Sequence, residues 1–181
     1  MKDIETKLKE KFVELLKVRN LDEIDVNLLC EEINIKRQSF YYHYKNIFDL
    51  VYDIVKEKPF VIIETNKIET ILTSLFNQYY ASFDFFTEIL SSSAREIVEE
   101  AIFSYFYKAF SSYLNKFNLG IDSKIDLSRF FSNSLTHQSI YYLEKKEYKI
   151  EEIVDKLLSF INEDTVAVII QNYSKKNINV Y

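Results

Sequence analysis

The sequence contains very few of the residues that build tight turns, phosphate-binding loops and disulfide frameworks. Its 181 residues include one glycine, one proline and one cysteine, whereas sheet proteins normally need glycine and proline at their turns. The chain is therefore predicted to be almost entirely helical. The same scarcity argues against a glycine-rich nucleotide-binding loop, because large side chains keep the backbone away from a phosphate.

Metal ligands and long apolar runs are also scarce. Cys30 has no partner for an intrachain disulfide, and one cysteine with two histidines offers few ligands to zinc. No apolar run approaches the ~20 residues that cross a bilayer, and the charged N-terminus lacks the apolar core of a signal peptide. We expect a cytoplasmic protein with no metal, no cofactor and no membrane contact.

The residues that are present suit a folded protein with a local binding surface. An apolar content of 48% is enough for a core, and the length suits one domain or two small ones. The net charge of −5 argues against indiscriminate coating of nucleic acid. A local basic surface on an acidic protein can still bind DNA.

The first third of the chain is predicted to form four helices. The first carries one apolar stripe, made by Ile4, Leu8, Phe12, Leu15 and Leu16. Asp25 offers an N-cap for a second helix, which runs from about residue 26 to 33. Asn34 tolerates the left-handed conformation of a tight turn, and a third helix starts near Lys36. A fourth stripe follows Asn46 and includes Ile47, Leu50, Val51, Ile54 and Val55.

The only proline, Pro59, is predicted to mark a domain boundary. We therefore divide the chain into domains at residues 1–58 and 59–181. Further helices are expected at about 66–90, with a break near Ala81, and at 94–117, 125–146 and 151–172. Gly120 is predicted to end a helix, with Asp122 or Ser123 capping the next one.

The second and third helices, joined by about three residues and packed on a longer first helix, describe a helix-turn-helix unit. The second helix of such a unit can enter the major groove of DNA. In the third predicted helix, Phe40 and Tyr44 lie four residues apart and can face the core together. The opposite face is then polar and aromatic.

This polar face carries both kinds of group that DNA recognition requires. Arg37 can bond to guanine O6 and N7, and Gln38 to adenine N6 and N7, which would specify sequence. Donors suited to phosphate oxygens, which would fix the register of the helix, follow on Ser39, Tyr41, Tyr42, His43 and Lys45. An all-α fold with an N-terminal helix-turn-helix DNA-binding domain is therefore predicted.

Residues 4–55 resemble the DNA-binding domain of TetR-family transcriptional regulators. The matching residues are Asp25-Val26, Leu29, Asn34-Ile35, the run Phe40-Tyr41-Tyr42-His43-Tyr44-Lys45, and Leu50. The longer run 36–50 is most similar to the branch that regulates dihydroxyacetone kinase. The resemblance implies DNA contacts by Tyr41, Tyr42 and His43, and base reading by Asn27, Arg37, Gln38 and Ser39. Lys36 lies at the start of the same helix.

Three positions depart from the family pattern. Asn34 replaces the turn glycine, and Lys36 replaces the small residue before the recognition helix. Ile47 replaces a lysine that often opens the fourth helix. This last change removes one phosphate contact that the resemblance would otherwise imply.

The resemblance also implies that the C-terminal domain forms a homodimer through its last two long helices and holds a small-molecule pocket. Two adjacent apolar helices joined by a charged turn can form half of a four-helix interface. Candidate interface residues are Phe131, Leu135, Leu157, Leu158 and Ile161. Aromatic side chains suit a small apolar or aromatic effector, and the candidate pocket residues are Tyr79, Phe83, Phe86, Phe106, Phe110 and His137.

Together these observations predict a repressor that binds a palindromic DNA operator as a homodimer. The alternative is a helical interaction protein of the same fold that acts through a protein partner, which the acidic balance and Ile47 leave open. A small helical enzyme would need turnover from His137 or Cys30. The sequence has neither a nucleophile elbow nor a glycine-built oxyanion site, so no catalytic residue is assigned.

Overall fold

A computed structural model describes residues 3–58 and 60–178, and within these ranges the protein consists of helices and connecting segments, with no strand. The prediction of an all-α fold is confirmed. The helices are α1 (Ile4–Leu15), α2 (Val26–Glu32), α3 (Arg37–His43), α4 (Ile47–Glu57), α5 (Ile68–Tyr80), α6 (Phe83–Leu90), α7 (Arg95–Tyr113), α8 (Ile121–Lys145), α9 (Ile150–Phe160) and α10 (Glu163–Ile178), with short 3-10 helices at Leu21–Glu23 and Leu114–Lys116.

The first four helices begin near the predicted residues. Polar side chains cap α1, α2 and α4, whereas the Lys36 side chain makes no capping bond to α3. The Asp25 carboxylate accepts a hydrogen bond from the backbone N of Leu28 at 2.8 Å. The Asn46 side chain accepts one from the backbone N of Asp49 at 2.9 Å. Asn34 adopts φ 53°, which confirms the left-handed turn between α2 and α3. Pro59, the predicted break, lies outside the described residues.

The region around Gly120 differs from the prediction. Gly120 does not end a helix; it precedes α8 with φ −64° and ψ 160°, an extended conformation that any residue adopts. The preceding helix α7 ends at Tyr113 and continues into the 3-10 turn Leu114–Lys116. Asp122 and Ser123 therefore lie in the first turn of α8 and do not cap it from outside. The break near Ala81 is confirmed, since Ala81 is the C-cap of α5.

The predicted helix 151–172 is wrong because two helices occupy this range. Helix α9 ends at Phe160 and α10 starts at Glu163. The Asn162 side chain accepts hydrogen bonds from the backbone N of Thr165 at 3.0 Å and from its hydroxyl at 3.1 Å. An asparagine followed by acidic residues is a helix-start signal, so the start of α10 is marked in the sequence itself.

The chain forms two compact units. One contains the chain up to Pro59 together with Ser82–Ala101, and the other contains Phe60–Ala81 and the chain from Ile102 onward. The first unit is thus larger than the predicted segment 1–58, because α6 and the start of α7 belong to it. Two contacts hold them there: the backbone N of Leu21 donates to Glu88 Oε1 at 3.0 Å, and the Ser93 hydroxyl donates to Asp22.

The second unit contains α5, α8, α9, α10 and most of α7. The Tyr105 hydroxyl donates to the carbonyl oxygen of Ile71 at 2.8 Å, which joins α7 to α5. The Glu163 carboxylate accepts from the backbone N of Ile68 at 2.9 Å, which joins α10 to α5. Among the described helices, none combines the length and the apolar content that crossing a bilayer requires.

Candidate nucleic-acid interface

Helix α3 is held in the first unit by two aromatic side chains on its inner face. Phe40 is fully buried and Tyr44 is nearly so, and their ring centroids lie 5.8 Å apart. The same unit buries Leu8, Phe12, Leu29, Leu50 and Val51 on α1, α2 and α4, which form its apolar core. Burial of large apolar side chains supplies most of the stability of such a unit, so this packing fixes which face of α3 points outward.

The turn before α3 is closed by backbone hydrogen bonds. The backbone N of Ile35 donates to the carbonyl oxygen of Cys30 at 3.0 Å, and that of Asn34 donates to Glu31 at 3.1 Å. Cys30 is buried, and this burial raises the pKa of its thiol. The side chain is therefore a neutral packing group at the end of α2.

The outer face of α3 carries the predicted contact residues at the surface. Tyr42 is 85% exposed and Tyr41 is 48% exposed. Exposed side chains also include Asn27, Lys36, Arg37, Gln38 and Lys45, whereas Ser39 and His43 are half-buried. Seven of these nine side chains are therefore open to solvent, and the other two are partly so.

Arg37 is supported by a neighbouring tyrosine on this face. Its Nη2 donates to the Tyr41 hydroxyl at 3.1 Å, and its guanidinium lies 5.7 Å from the centre of the Tyr41 ring. A guanidinium that uses one of its five N–H donors for one partner still has donors for a second one. The arrangement orders Arg37 before any ligand binds.

The stretch of sequence that contains α3 carries positive charge although the whole chain is acidic. No aspartate or glutamate occurs between Glu32 and Asp49, a stretch that includes Lys36, Arg37 and Lys45. The Asp49 carboxylate accepts from the backbone N of Lys45 at 3.1 Å, so it faces the turn after α3. Carboxylates approach from other segments, since Glu5 Oε2 lies 4.0 Å from His43 Nδ1, but the exposed cations of this stretch can still attract phosphate.

A shallow cleft of about 390 Å³ lies between the start of α1 and α3. It is lined by Ile4, Lys36, Gln38, Ser39, Tyr42 and His43. Five of the nine predicted contact residues therefore border one concave surface. Donors that converge on a groove can contact a backbone that runs through it.

A cluster of charges lies behind the end of α3. Lys9 Nζ lies 2.7 Å from Glu5 Oε1, 2.6 Å from Asp53 Oδ2 and 2.5 Å from Glu57 Oε1. Burial opposes the charge of Lys9, but the three hydrogen bonds outweigh it and raise its pKa well above the usual range. The same bond from Lys9 lowers the pKa of Asp53.

This cluster also bonds to the last residue of the α3 turn. The Tyr44 hydroxyl donates to Asp53 Oδ2 at 3.0 Å. Burial, together with the carboxylate that accepts this proton, raises the pKa of Tyr44 far above its ordinary value. The oxygens of Glu5, Asp53 and Glu57 lie within 4.8 Å of one another, but the ammonium of Lys9 already supplies the positive charge among them.

The predicted effector residues do not gather in one unit. Tyr79, Phe106 and Phe110 are buried in the second unit, and Phe110 stacks on Phe131 with 5.2 Å between ring centroids. Phe86 is buried and Phe83 half-buried in the first unit. His137 is exposed on α8. The division arises because α6 packs with the N-terminal helices.

Two clefts of the second unit are lined by other residues. A cleft of about 500 Å³ between the end of α7 and the start of α8 is bordered by Tyr107, Ser111, Ser112, Asn115, Ile121, Lys124 and Ile125. A second one of about 340 Å³ between α8 and α10 is bordered by Asp126, Leu127, Phe130, Ile169 and Tyr173. None of the six predicted effector residues borders either cleft.

The candidate dimer residues are mostly part of the core. Phe131, Leu135, Leu157 and Ile161 are buried in the chain itself, and Leu158 is half-buried. They have little surface left for a second copy, because α8 and α9 turn these faces inward. Other apolar residues of this unit are exposed, among them Phe130 on α8, which is 53% exposed, Phe160 on α9 and Val168 on α10.

The comparisons with known proteins support the fold. No family model matches the chain, and no curated protein matches it in sequence. A solved structure named "Dihydroxyacetone kinase operon activator DhaS" is similar with a TM-score of 0.59 and 12% sequence identity. The alignment covers 86% of this chain and 92% of that one. At this identity the similarity shows a shared all-helical fold.

Proposed function

We propose that this protein is a transcriptional regulator that binds a palindromic DNA operator as a homodimer, with α3 as the recognition helix. The observation that carries the proposal is the outer face of α3. Its donors are exposed, no carboxylate lies in the surrounding stretch of sequence, and its inner face is fixed by Phe40 and Tyr44. This combination suits a helix that enters a major groove.

The contacts divide into two classes. Arg37 and Gln38, at the start of α3, read base edges through paired hydrogen bonds. The phosphate contacts come from residues that surround them or follow at the end of the helix: Lys36, Ser39, Tyr41, Tyr42, His43 and Lys45. Asn27, exposed on α2, is a further base contact by resemblance to the family.

Dimerisation uses the exposed apolar surface of α8 and α10. Phe130 borders the cleft that also includes Leu127 and Ile169, and the Tyr173 hydroxyl holds the two helices together by donating to Asp126 at 2.8 Å. A second copy that covers this surface would form an isologous interface. Two recognition helices, ~34–36 Å apart, would then meet the two half-sites of a palindrome.

The proposed regulation has two parts: the dimer occupies promoter DNA, and a small effector changes its affinity for that DNA. A dimer that covers promoter DNA excludes other proteins from it, so repression is the proposed outcome, although the similar structure is named an activator. A small apolar or aromatic effector would release DNA if it bound the incompetent conformation better. The proposal implies a cytoplasmic protein, since its ligand is DNA.

The proposal includes no catalytic step. The His137 ring is exposed, with Nδ1 2.8 Å from the carbonyl oxygen of Asn133, and among the described residues no carboxylate forms an ion pair with it. Cys30 is buried, and its pKa is raised. Neither side chain has the activated environment that a nucleophile or a general base requires.

The test is binding of the purified protein to DNA from upstream of its own gene, measured by gel shift at increasing salt. We expect a specific shift that unrelated DNA of equal length does not compete away. The Tyr42→Ala variant should bind at least about tenfold more weakly, because it lacks a hydroxyl donor on the exposed face of α3.

Glu10→Ala is the matched control for this experiment, since Glu10 is an exposed residue on α1 outside the proposed interface. This variant should bind like the wild type. If no fragment of the genome is selected at any salt concentration, the DNA-binding role is refuted for the unliganded protein. Equal binding by wild type and Tyr42→Ala would refute the role of α3.

A further inference from the structure

We infer that Lys9 is a positioning residue for the DNA-contacting end of α3, although its own side chain does not reach the interface. This inference rests on the proposed function, because it concerns how the proposed contacts are held in place. It assigns a role to a residue on α1 that neither the helix-turn-helix pattern nor the resemblance singles out.

Lys9 connects α1 to α4 through one ammonium group. Its Nζ bonds to Glu5 on α1 and to Asp53 and Glu57 on α4, at distances of 2.5 to 2.7 Å. The Lys9 side chain is only 11% exposed. Since all three donors of an ammonium are used by these carboxylates, Lys9 has none left for a phosphate.

The network continues from Asp53 to the end of α3. Asp53 Oδ2 accepts the hydroxyl proton of Tyr44 as well as a proton from Lys9. Tyr44 is the C-cap of α3, and its backbone N donates to the carbonyl oxygen of Phe40. The residues on either side of Tyr44 are His43 and Lys45, two of the proposed phosphate contacts.

A second branch of the network passes through Glu5. One oxygen of Glu5 accepts from Lys9, and the other lies 4.0 Å from His43 Nδ1. Lys9 therefore neutralises a carboxylate that lies close to the DNA-facing surface. An uncompensated charge at this place would repel phosphate.

Without Lys9, three carboxylates would remain within 4.8 Å of one another. Their repulsion is relieved when α4 moves away from α1, and Asp53 would carry Tyr44 with it. Arg37 and Gln38, at the opposite end of α3, are not bonded to this cluster. The expected defect is thus confined to the phosphate contacts at the C-terminal end of α3 and leaves base reading intact.

The experiment compares Lys9→Met with Lys11→Met. Lys11 lies on the same helix and also forms ion pairs, with Glu14 at 2.9 Å and Glu32 at 3.7 Å, but none of them leads to α3. Both variants lose one positive charge, so the pair controls for long-range attraction to DNA. Operator affinity is measured over a series of salt concentrations, together with affinity for a mismatched site and the thermal unfolding temperature.

We expect Lys9→Met to flatten the plot of log K against log salt by about one unit, as the loss of one phosphate cation does. If the variant and the wild type bind equally at 1 M salt, a slope lower by one makes the variant bind about tenfold more weakly at 0.1 M salt. The ratio of operator to mismatched-site affinity should stay within about twofold. Lys11→Met should keep the wild-type slope, and Lys9→Arg should recover most of it.

The double variant Lys9→Met/Lys45→Ala tests whether Lys9 affects DNA binding by placing Lys45. If Lys9 acts by placing Lys45, the second substitution should add little to the change in slope, since the two act on one contact. Fully additive slopes would overturn the inference. An unchanged slope in Lys9→Met, or the same change in Lys11→Met, would overturn it as well.

Tyr44→Phe keeps the inference testable if Lys9→Met does not fold. This variant retains the buried ring and removes only the hydroxyl that bonds to Asp53. We expect a smaller loss of operator affinity, about three- to tenfold, with the slope changed in the same direction. Binding equal to wild type would contradict the inference. Failure of the wild type to bind any operator would instead overturn the proposed function, and this inference with it.

Discussion

Replacing Arg37 by alanine is expected to remove most of the preference of the protein for its operator over unrelated DNA. A bidentate contact between arginine and guanine discriminates by about 1–3 kcal/mol, which is about 5- to 150-fold in affinity. Arg37 is exposed and its only described side-chain bond is to Tyr41, also on the surface. The substitution should therefore leave the fold intact and act on recognition.

Lys45→Ala is the matched comparison, because Lys45 is also an exposed cation next to α3 but is proposed to contact phosphate. We expect it to weaken binding to operator and to unrelated DNA by the same factor and to reduce the salt slope by about one. Affinities for operator and for single-base variants, measured by fluorescence anisotropy, separate the two effects. Equal losses of discrimination in both variants would contradict the division into base and phosphate contacts.

Replacing Phe130 by aspartate is expected to convert the dimer to monomers. Its side chain is half exposed in the single chain and borders the cleft between α8 and α10. A charge here costs the monomer little but would be buried without a partner in the interface. A monomer reaches only one half-site, so operator affinity should fall by about 10²- to 10⁴-fold.

Ile121→Asp is the control for this substitution. Ile121 is exposed, apolar and on the same helix, but it borders the other cleft, between α7 and α8. We expect this variant to remain a dimer with normal operator binding. Sedimentation equilibrium of both variants gives the measurement, and a Phe130→Asp protein that is still dimeric would show that another surface joins the two copies.

The helix-turn-helix unit was predictable because its signals are local. Asp25 caps α2 through its own side chain, and Asn34 takes the left-handed conformation that its residue type tolerates. The spacing of Phe40 and Tyr44 determined the inner face of α3, and with it the exposure of the residues between them. Each of these features depends on residues only a few positions apart.

The C-terminal unit was less predictable because long-range packing decides it. Phe130 and Phe131 are adjacent and both apolar, yet only Phe131 is buried; the sequence does not say which of them faces the core. Phe83 and Phe86 belong to the first unit because α6 packs there, which no local pattern indicates. The start of α10 was predictable, because Asn162 caps this helix through a local bond to Thr165.

The most direct test of the account is a selection of bound sequences from a pool of random DNA duplexes, with the unmodified protein. The account predicts enrichment of one two-fold symmetric sequence, with half-sites separated by one helical turn, ~34–36 Å, or a multiple of it. Such a result would support the recognition helix and the dimer together. A pool that shows no enrichment over several rounds, at low and moderate salt, would contradict the proposal that this protein reads DNA.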